Sequence, residues 1–129
     1  MKKLNILRVI SLAALVTLST SVALYGESIK PESVIHVVTI KWVDDASEEK
    51  IAAALKGVET LAEKYEGITR VWTRSIKAQG PESGVTAAFV MEFKNEKALK
   101  DYAGSDAQKE WYEVYIPARD RSRTFDITN

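Results

Sequence analysis

The stretch Val34-Ile35-His36-Val37-Val38-Thr39-Ile40-Lys41-Trp42-Val43 decides the fold. It is dense in β-branched residues, whose stiff side chains suit a pleated surface, and an acidic, helix-starting cluster follows it. It therefore reads as a strand at the centre of a sheet. Period-two alternation puts His36, Val38, Ile40 and Trp42 on one face and Ile35, Val37, Thr39 and Lys41 on the other. The first face carries the only histidine of the chain and a tryptophan near its far end. The second is mostly small and branched, which suits packing under helices.

On the carboxyl side, Asp44 to Glu49 piles capping residues and acids onto a helix start, where they oppose the positive end of the helix dipole. Asp45 and Glu48 have the spacing of a capping box. Ile51, Leu55, Val58 and Ala62, flanked by Ala54 and Leu61, form one apolar stripe at helical spacing, and Gly67 stops the helix after Tyr65. Gly67 to Lys77 alternates again and predicts a second strand, with Arg70, Trp72 and Arg74 on one face. Ala78 to Gly84 is a loop. Val85 to Phe93 predicts a third strand with Val85, Ala87, Phe89, Met91 and Phe93 on one side.

Asn95 caps a short helix through Ala98, Leu99 and Tyr102, which Gly104 breaks. Ser105-Asp106 starts another through Gln108, Trp111, Tyr112 and Tyr115, ended by Pro117. Arg123 to Ile127 is the last strand. The order β-α-β-β-α-β, with its second helical region split, predicts an α+β ferredoxin-like sandwich: a four-stranded antiparallel sheet with helices on one face. Faces carrying Val38, Ile40, Trp42, Trp72, Phe89 and Met91 are too much apolar surface for two helices to cover. A second copy of the chain is the simplest cover, which makes the expected assembly a homodimeric α/β barrel with a shared interior.

On the amino side, Met1 to Ala23 has the three parts of a secretory signal: Lys2 and Lys3, an apolar run to Leu18, then small polar residues ending Ser21-Val22-Ala23. The run is about ten residues, short of the ~20 that span a bilayer. The expectation is cleavage after Ala23, export to the periplasm or beyond, and no stable membrane insertion afterwards. Leu24 to Ser33 is then a lead-in, and residues 34–127 are the domain.

Of the 129 residues, 46% are hydrophobic and 28% charged, a composition that fits one soluble globular domain. Without Lys2, Lys3 and Arg8, 15 basic residues face 18 acidic ones, a net charge near −3. That balance offers no electrostatic footprint for nucleic acid. The absence of cysteine excludes disulfides and thiolate metal sites.

Several segments together resemble the stress-responsive A/B barrel domain (Dabb) family, part of the dimeric α+β barrel superfamily. They are Ile35 to Trp42, the acid-started helix, Gly67-Ile68, Ala88 to Phe93, Ala98 to Tyr102, and the closing Phe125-Asp126. The resemblance covers Val34 to Ile127 and implies the same dimeric fold. Family members include plant stress-induced proteins, bacterial proteins of unknown activity and a plant polyketide cyclase. The cyclase closes a ring without metal or organic cofactor, using a tyrosine and a histidine around a barrel cavity. The resemblance places the family's first-strand histidine at His36 and the tyrosine of its Tyr-x-x-His-Pro-x-His stretch at Tyr102. Here that stretch reads Tyr102-Ala103-Gly104-Ser105-Asp106-Ala107-Gln108, so Ser105 and Gln108 stand where the two histidines would be. A neutral amide has no proton-accepting form near pH 7, so Gln108 is not a general base.

His36 and Tyr102 are thus the candidate catalytic pair, the first for proton transfer and the second for hydrogen bonding to a developing oxyanion. The alternative is a structural role, His36 as a hydrogen-bonded cavity residue and Tyr102 as part of the apolar stripe with Ala98 and Leu99. Val38, Ile40, Trp42, Trp72, Phe89, Met91 and Gln108 are the candidate lining of a pocket for a small apolar or aromatic ligand. Arg70 and Arg74 either bind an anion at its mouth or pair with acids across the dimer. No metal or cofactor is expected, because one histidine and no cysteine leave only oxygen ligands without a recognisable spacing. Three function classes follow: a non-enzymatic, ligand-binding or stress-tolerance barrel; a cofactor-independent cyclase, isomerase or monooxygenase on an aromatic or polyketide-like substrate; and a haem-handling barrel resting on His36 alone. The missing second histidine favours the first.

Overall fold

The computed structural model describes residues 32–80 and 84–129. The signal and lead-in reading of Met1 to Pro31 lies outside the described residues. Strand β1 (Val34–Trp42) leads into helix α1 (Glu48–Lys64), then β2 (Ile68–Trp72), β3 (Ala87–Phe93), α2 (Glu96–Tyr102), α3 (Asp106–Tyr115), a 3-10 turn (Ile116–Ala118) and β4 (Arg119–Ile127). The sheet order is β2-β3-β1-β4, and every neighbouring pair is antiparallel. This is the ferredoxin-like α+β fold, with β1 inside the sheet.

Each helix starts where a side-chain oxygen can take up an orphaned backbone N–H. Ser47 accepts from Lys50 N, Asn95 from Ala98 N and Ser105 from Gln108 N. The cap of α1 is therefore Ser47 and not Asp45, and Asp44 instead pairs with Lys41 at 3.3 Å. The buried line of α1 is Ala54, Val58 and Leu61, with Ile51, Leu55 and Ala62 at its margins. Gly57 sits where α1 meets α3: a Cβ there would lie 2.6 Å from Trp111 Cδ1. Trp111 in turn donates its indole N–H to Ala54 O at 3.0 Å, so the two helices approach closely and are pinned at the same point.

The core corrects the assignment of the sheet faces. Val34, Val38 and Ile40 of β1 and Phe89, Met91 and Phe93 of β3 are buried together with the helices, and Trp42 packs against them. The His36–Trp42 face is thus the one under the helices, and the small, branched face of Ile35, Val37 and Thr39 is left open. Bulk is the physical reason: Phe89 meets Trp111 and Tyr115 edge-on, filling the gap between sheet and α3 with aromatic volume that valines would not supply. Of the six residues expected to face a second copy, five lie on the covered side. Trp72, opposite Val90 in the register, lies on the open side and is 47% exposed.

Two strands depart from expectation by more than two residues, and β3 begins at Ala87, two residues after its expected start. β2 ends at Trp72, so Thr73 to Lys77 leaves the sheet although its sequence alternates. β4 begins at Arg119, four residues before its expected start. Its polar sequence Arg-Asp-Arg-Ser suits an edge strand, which β4 is.

Candidate functional site

Antiparallel pairing of β1 with β4 sets His36 beside Asp126, Val38 beside Thr124 and Ile40 beside Ser122. All of these lie on the helix side of the sheet, so β4 presents a row of polar side chains where β1 and β3 present apolar ones. The helices α2 and α3 stand over this boundary. Between them and β4 lies a cavity of about 370 Å3, in the ordinary range for small-molecule sites. Phe89, Val38, Leu99 and Trp111 form its apolar wall, and Ser122, Thr124, Asp126 and Arg119 its polar one.

The structure brings together His36, Val38, Phe89, Tyr102 and Gln108 around this cavity. It does not bring the rest of the expected lining there. Ile40 and Met91 are wholly buried in the core, Trp42 packs against the Tyr115 ring, and Trp72 is on the opposite sheet face. Arg70 is also on that opposite face, where it pairs with Glu92 and lies over the Trp72 ring at 5.5 Å. It therefore stands away from the cavity mouth.

His36 Nδ1 lies 2.6 Å from Asp126 Oδ1. An ionised carboxylate only accepts, so Nδ1 carries the proton, and the lone pair of the neutral imidazole is on Nε2. The ring is 86% covered at its side chain and is packed edge-on against Phe93 and Tyr102. Asp126 is half exposed, at the cavity mouth. Tyr102 is buried, and burial pushes its phenol well above the usual range, so it remains a protonated hydrogen-bond donor throughout the neutral range. The nearby Gln108 amide opposes this shift.

Gln108 has a structural explanation as well. Its Oε1 accepts from Gly104 N at 2.7 Å, which stabilises the turn at Gly104 (φ +82°), and its Nε2 donates to Tyr112 Oη at 3.2 Å. It orders the α2–α3 corner that carries Tyr102. Tyr65 secures the same corner from the other side, donating to Ala98 O at 2.6 Å.

Sequence reasoning missed Asp126, Arg119, Ser122 and Thr124 as site residues. His36 and Asp126 are 90 positions apart, and only strand pairing joins them. The one available signal was the polar alternation Ser122, Thr124, Asp126, which a strand begun at Arg123 cuts short. Among the described residues no group of three histidine, cysteine, aspartate or glutamate side chains converges on a metal-sized site.

Residues 34–129 match Dabb, the stress responsive A/B barrel domain. The chain belongs to this family. Among curated proteins none matches it in sequence. Solved structures of the same fold include an Arabidopsis thaliana protein, 24% identical with a TM-score of 0.66, which spans 74% of this chain and 94% of its own. A dimeric protein of unknown function with a ferredoxin-like fold from Bacteroides fragilis is 20% identical with a TM-score of 0.59, over 78% of this chain and 100% of its own. The hydroxynitrile lyase of Passiflora edulis is 17% identical with a TM-score of 0.66, over 77% of this chain and 94% of its own. At such identities these likenesses establish the fold of this A/B barrel domain, and its chemistry must be argued from its own cavity.

Proposed function

We propose that this A/B barrel protein binds a small, partly aromatic molecule in the cavity under α2 and α3 and moves a proton on it without a cofactor. The observation that carries the reading is the His36–Asp126 pair. Asp126 fixes the imidazole in the tautomer whose Nε2 can accept a proton, and the cavity that His36 lines can hold a substrate beside it. Tyr102, kept protonated by burial, supplies the second requirement of enolate chemistry, a donor for the oxygen that becomes negative as the proton leaves. The general base that Gln108 cannot be is supplied from the sheet. The reaction class is abstraction or return of a proton next to a carbonyl, the step shared by aldol-type closures, isomerisations and retro-additions.

The protein is further proposed to be a homodimer, exported by the segment Met1 to Ala23. Dimerisation is supported by the open sheet face, where Trp72, Phe125 and Ile127 are exposed and Ile35, Val37 and Val90 half-buried, and by the dimeric solved relative. Export rests on the signal-like sequence alone.

Proton transfer is tested in heavy water, by following exchange of the α-protons of an aryl methyl ketone by NMR. The protein should accelerate the exchange, and His36→Gln should lower the acceleration by roughly 10²–10⁴-fold while the ketone still binds. Binding without any acceleration would reduce the site to a ligand-binding pocket. Acceleration that persists in His36→Gln would assign the base elsewhere.

A further inference from the structure

The cavity has a second end that proton transfer does not use. Four residues along β4 from Asp126, about 14 Å at the rise of an extended strand, Ser122 lies beside Arg119 and Tyr115, and all three line the same cavity. The Arg119 guanidinium donates one N–H to Ser122 Oγ at 3.0 Å and sits 5.3 Å over the Tyr115 ring. Its Nε is buried without a hydrogen-bond partner. Among the described residues it has no carboxylate within ion-pair distance, and the adjacent Asp120 is taken by Lys41 at 3.1 Å. Tyr115 is 97% buried, and its hydroxyl, although beside Ser122 and Arg119, makes no hydrogen bond of acceptable geometry. Burial also raises its phenol pKa, so the hydroxyl stays a donor.

A buried donor without an acceptor is destabilising, and a part-buried cation without a counter-charge more so. Arg119 and Tyr115 both line one end of one cavity, and their two unpaired atoms lie just behind its surface. We propose that the Arg119–Tyr115–Ser122 end is an anion subsite that holds the carboxylate of an elongated, aromatic ligand whose other end lies against His36. The planar fork of the guanidinium matches a carboxylate, the Tyr115 hydroxyl adds a donor to it, and Phe89 and Trp111 form the apolar wall between the two ends. The inference rests on the cavity being a small-molecule site. It adds the ligand class: an elongated aryl acid.

The test compares biphenyl-4-carboxylate with its neutral isostere biphenyl-4-carboxamide, by calorimetry at pH 7. His36 is the sole histidine, so its ring protons in NMR report independently whether either compound enters the cavity. The carboxylate should bind at least tenfold more tightly than the amide. Arg119→Gln should erase that preference and leave amide affinity within about twofold, and Tyr115→Phe should reduce it several-fold. Equal affinities for the two compounds, both shifting the His36 resonance, would overturn the anion subsite and leave the cavity reading intact. A preference that survives Arg119→Gln but disappears in Lys100→Gln would place the anion at the cavity mouth, and would also overturn it. If neither compound moves the His36 resonance, the small-molecule reading of the cavity falls, and the subsite with it.

Discussion

The two faces of the sheet are built from the same strands and behave as different materials. On the helix side, Phe89, Met91, Phe93 and Ile40 are almost fully buried, and Phe89 is held by aromatic contacts with α3. On the open side, Ile35, Val37 and Val90 are only half-covered, and Phe125 is 48% exposed. The covered face also changes character across its width. Toward β2 it is apolar, with Ile68 and Met91 in the core and Val71 packed against it, and toward the β4 edge it becomes the polar wall of a cavity. The difference teaches that a sheet one residue thick can carry a folding core and a ligand site on one side and an assembly surface on the other, because side chains alternate strictly.

The contrast is broken most severely at Phe89. Phe89→Ala removes a ring held between Trp111 and Tyr115, and the expected loss is about 3–5 kcal/mol of unfolding free energy, much of the stability of a small domain. Urea denaturation measures it; a loss under about 1 kcal/mol would mean that the helix side is not the core. Phe125→Asp on the open face should do the opposite. Unfolding of the isolated subunit should change by about 0.5 kcal/mol or less, as at ordinary surface positions, while sedimentation should show the dimer weakened at least tenfold. A dimer that persists unchanged would move the interface off this face.

The smallest expected effect is at Glu92, also on the open face. The Arg70 guanidinium holds its carboxyl below the ordinary value of 4.5, with desolvation opposing it. A depressed folded-state pKa contributes stability that is fully present above the unfolded value and is lost as pH falls through the folded one. Thermal unfolding should therefore show Glu92→Gln less stable at neutral pH, with the gap to the unsubstituted protein closing as the pH drops below about 4.5. A gap that stays constant down to strong acid would remove the ion pair from the account of this face.

Much was legible without coordinates. The β-branched run of β1, the capped amphipathic α1, the break at Gly104 and the order of elements together specify a ferredoxin-like sheet, because each is a local signal carried by consecutive residues. The pair His36 and Tyr102 could also be named, although only by resemblance. The sequence did not say which face of the sheet lies beneath the helices, since alternation defines two faces and is silent on which one is covered. It did not show the close approach at Gly57, where a glycine inside a good helix is a cost until Trp111 is seen against it. Nor could it join His36 to Asp126, or Arg119 to Tyr115 and Ser122 at the far end of the same cavity. Those neighbours come from the register of an edge strand and the tilt of α3. Both are fixed by packing between residues distant in the chain, and only the folded molecule contains that information.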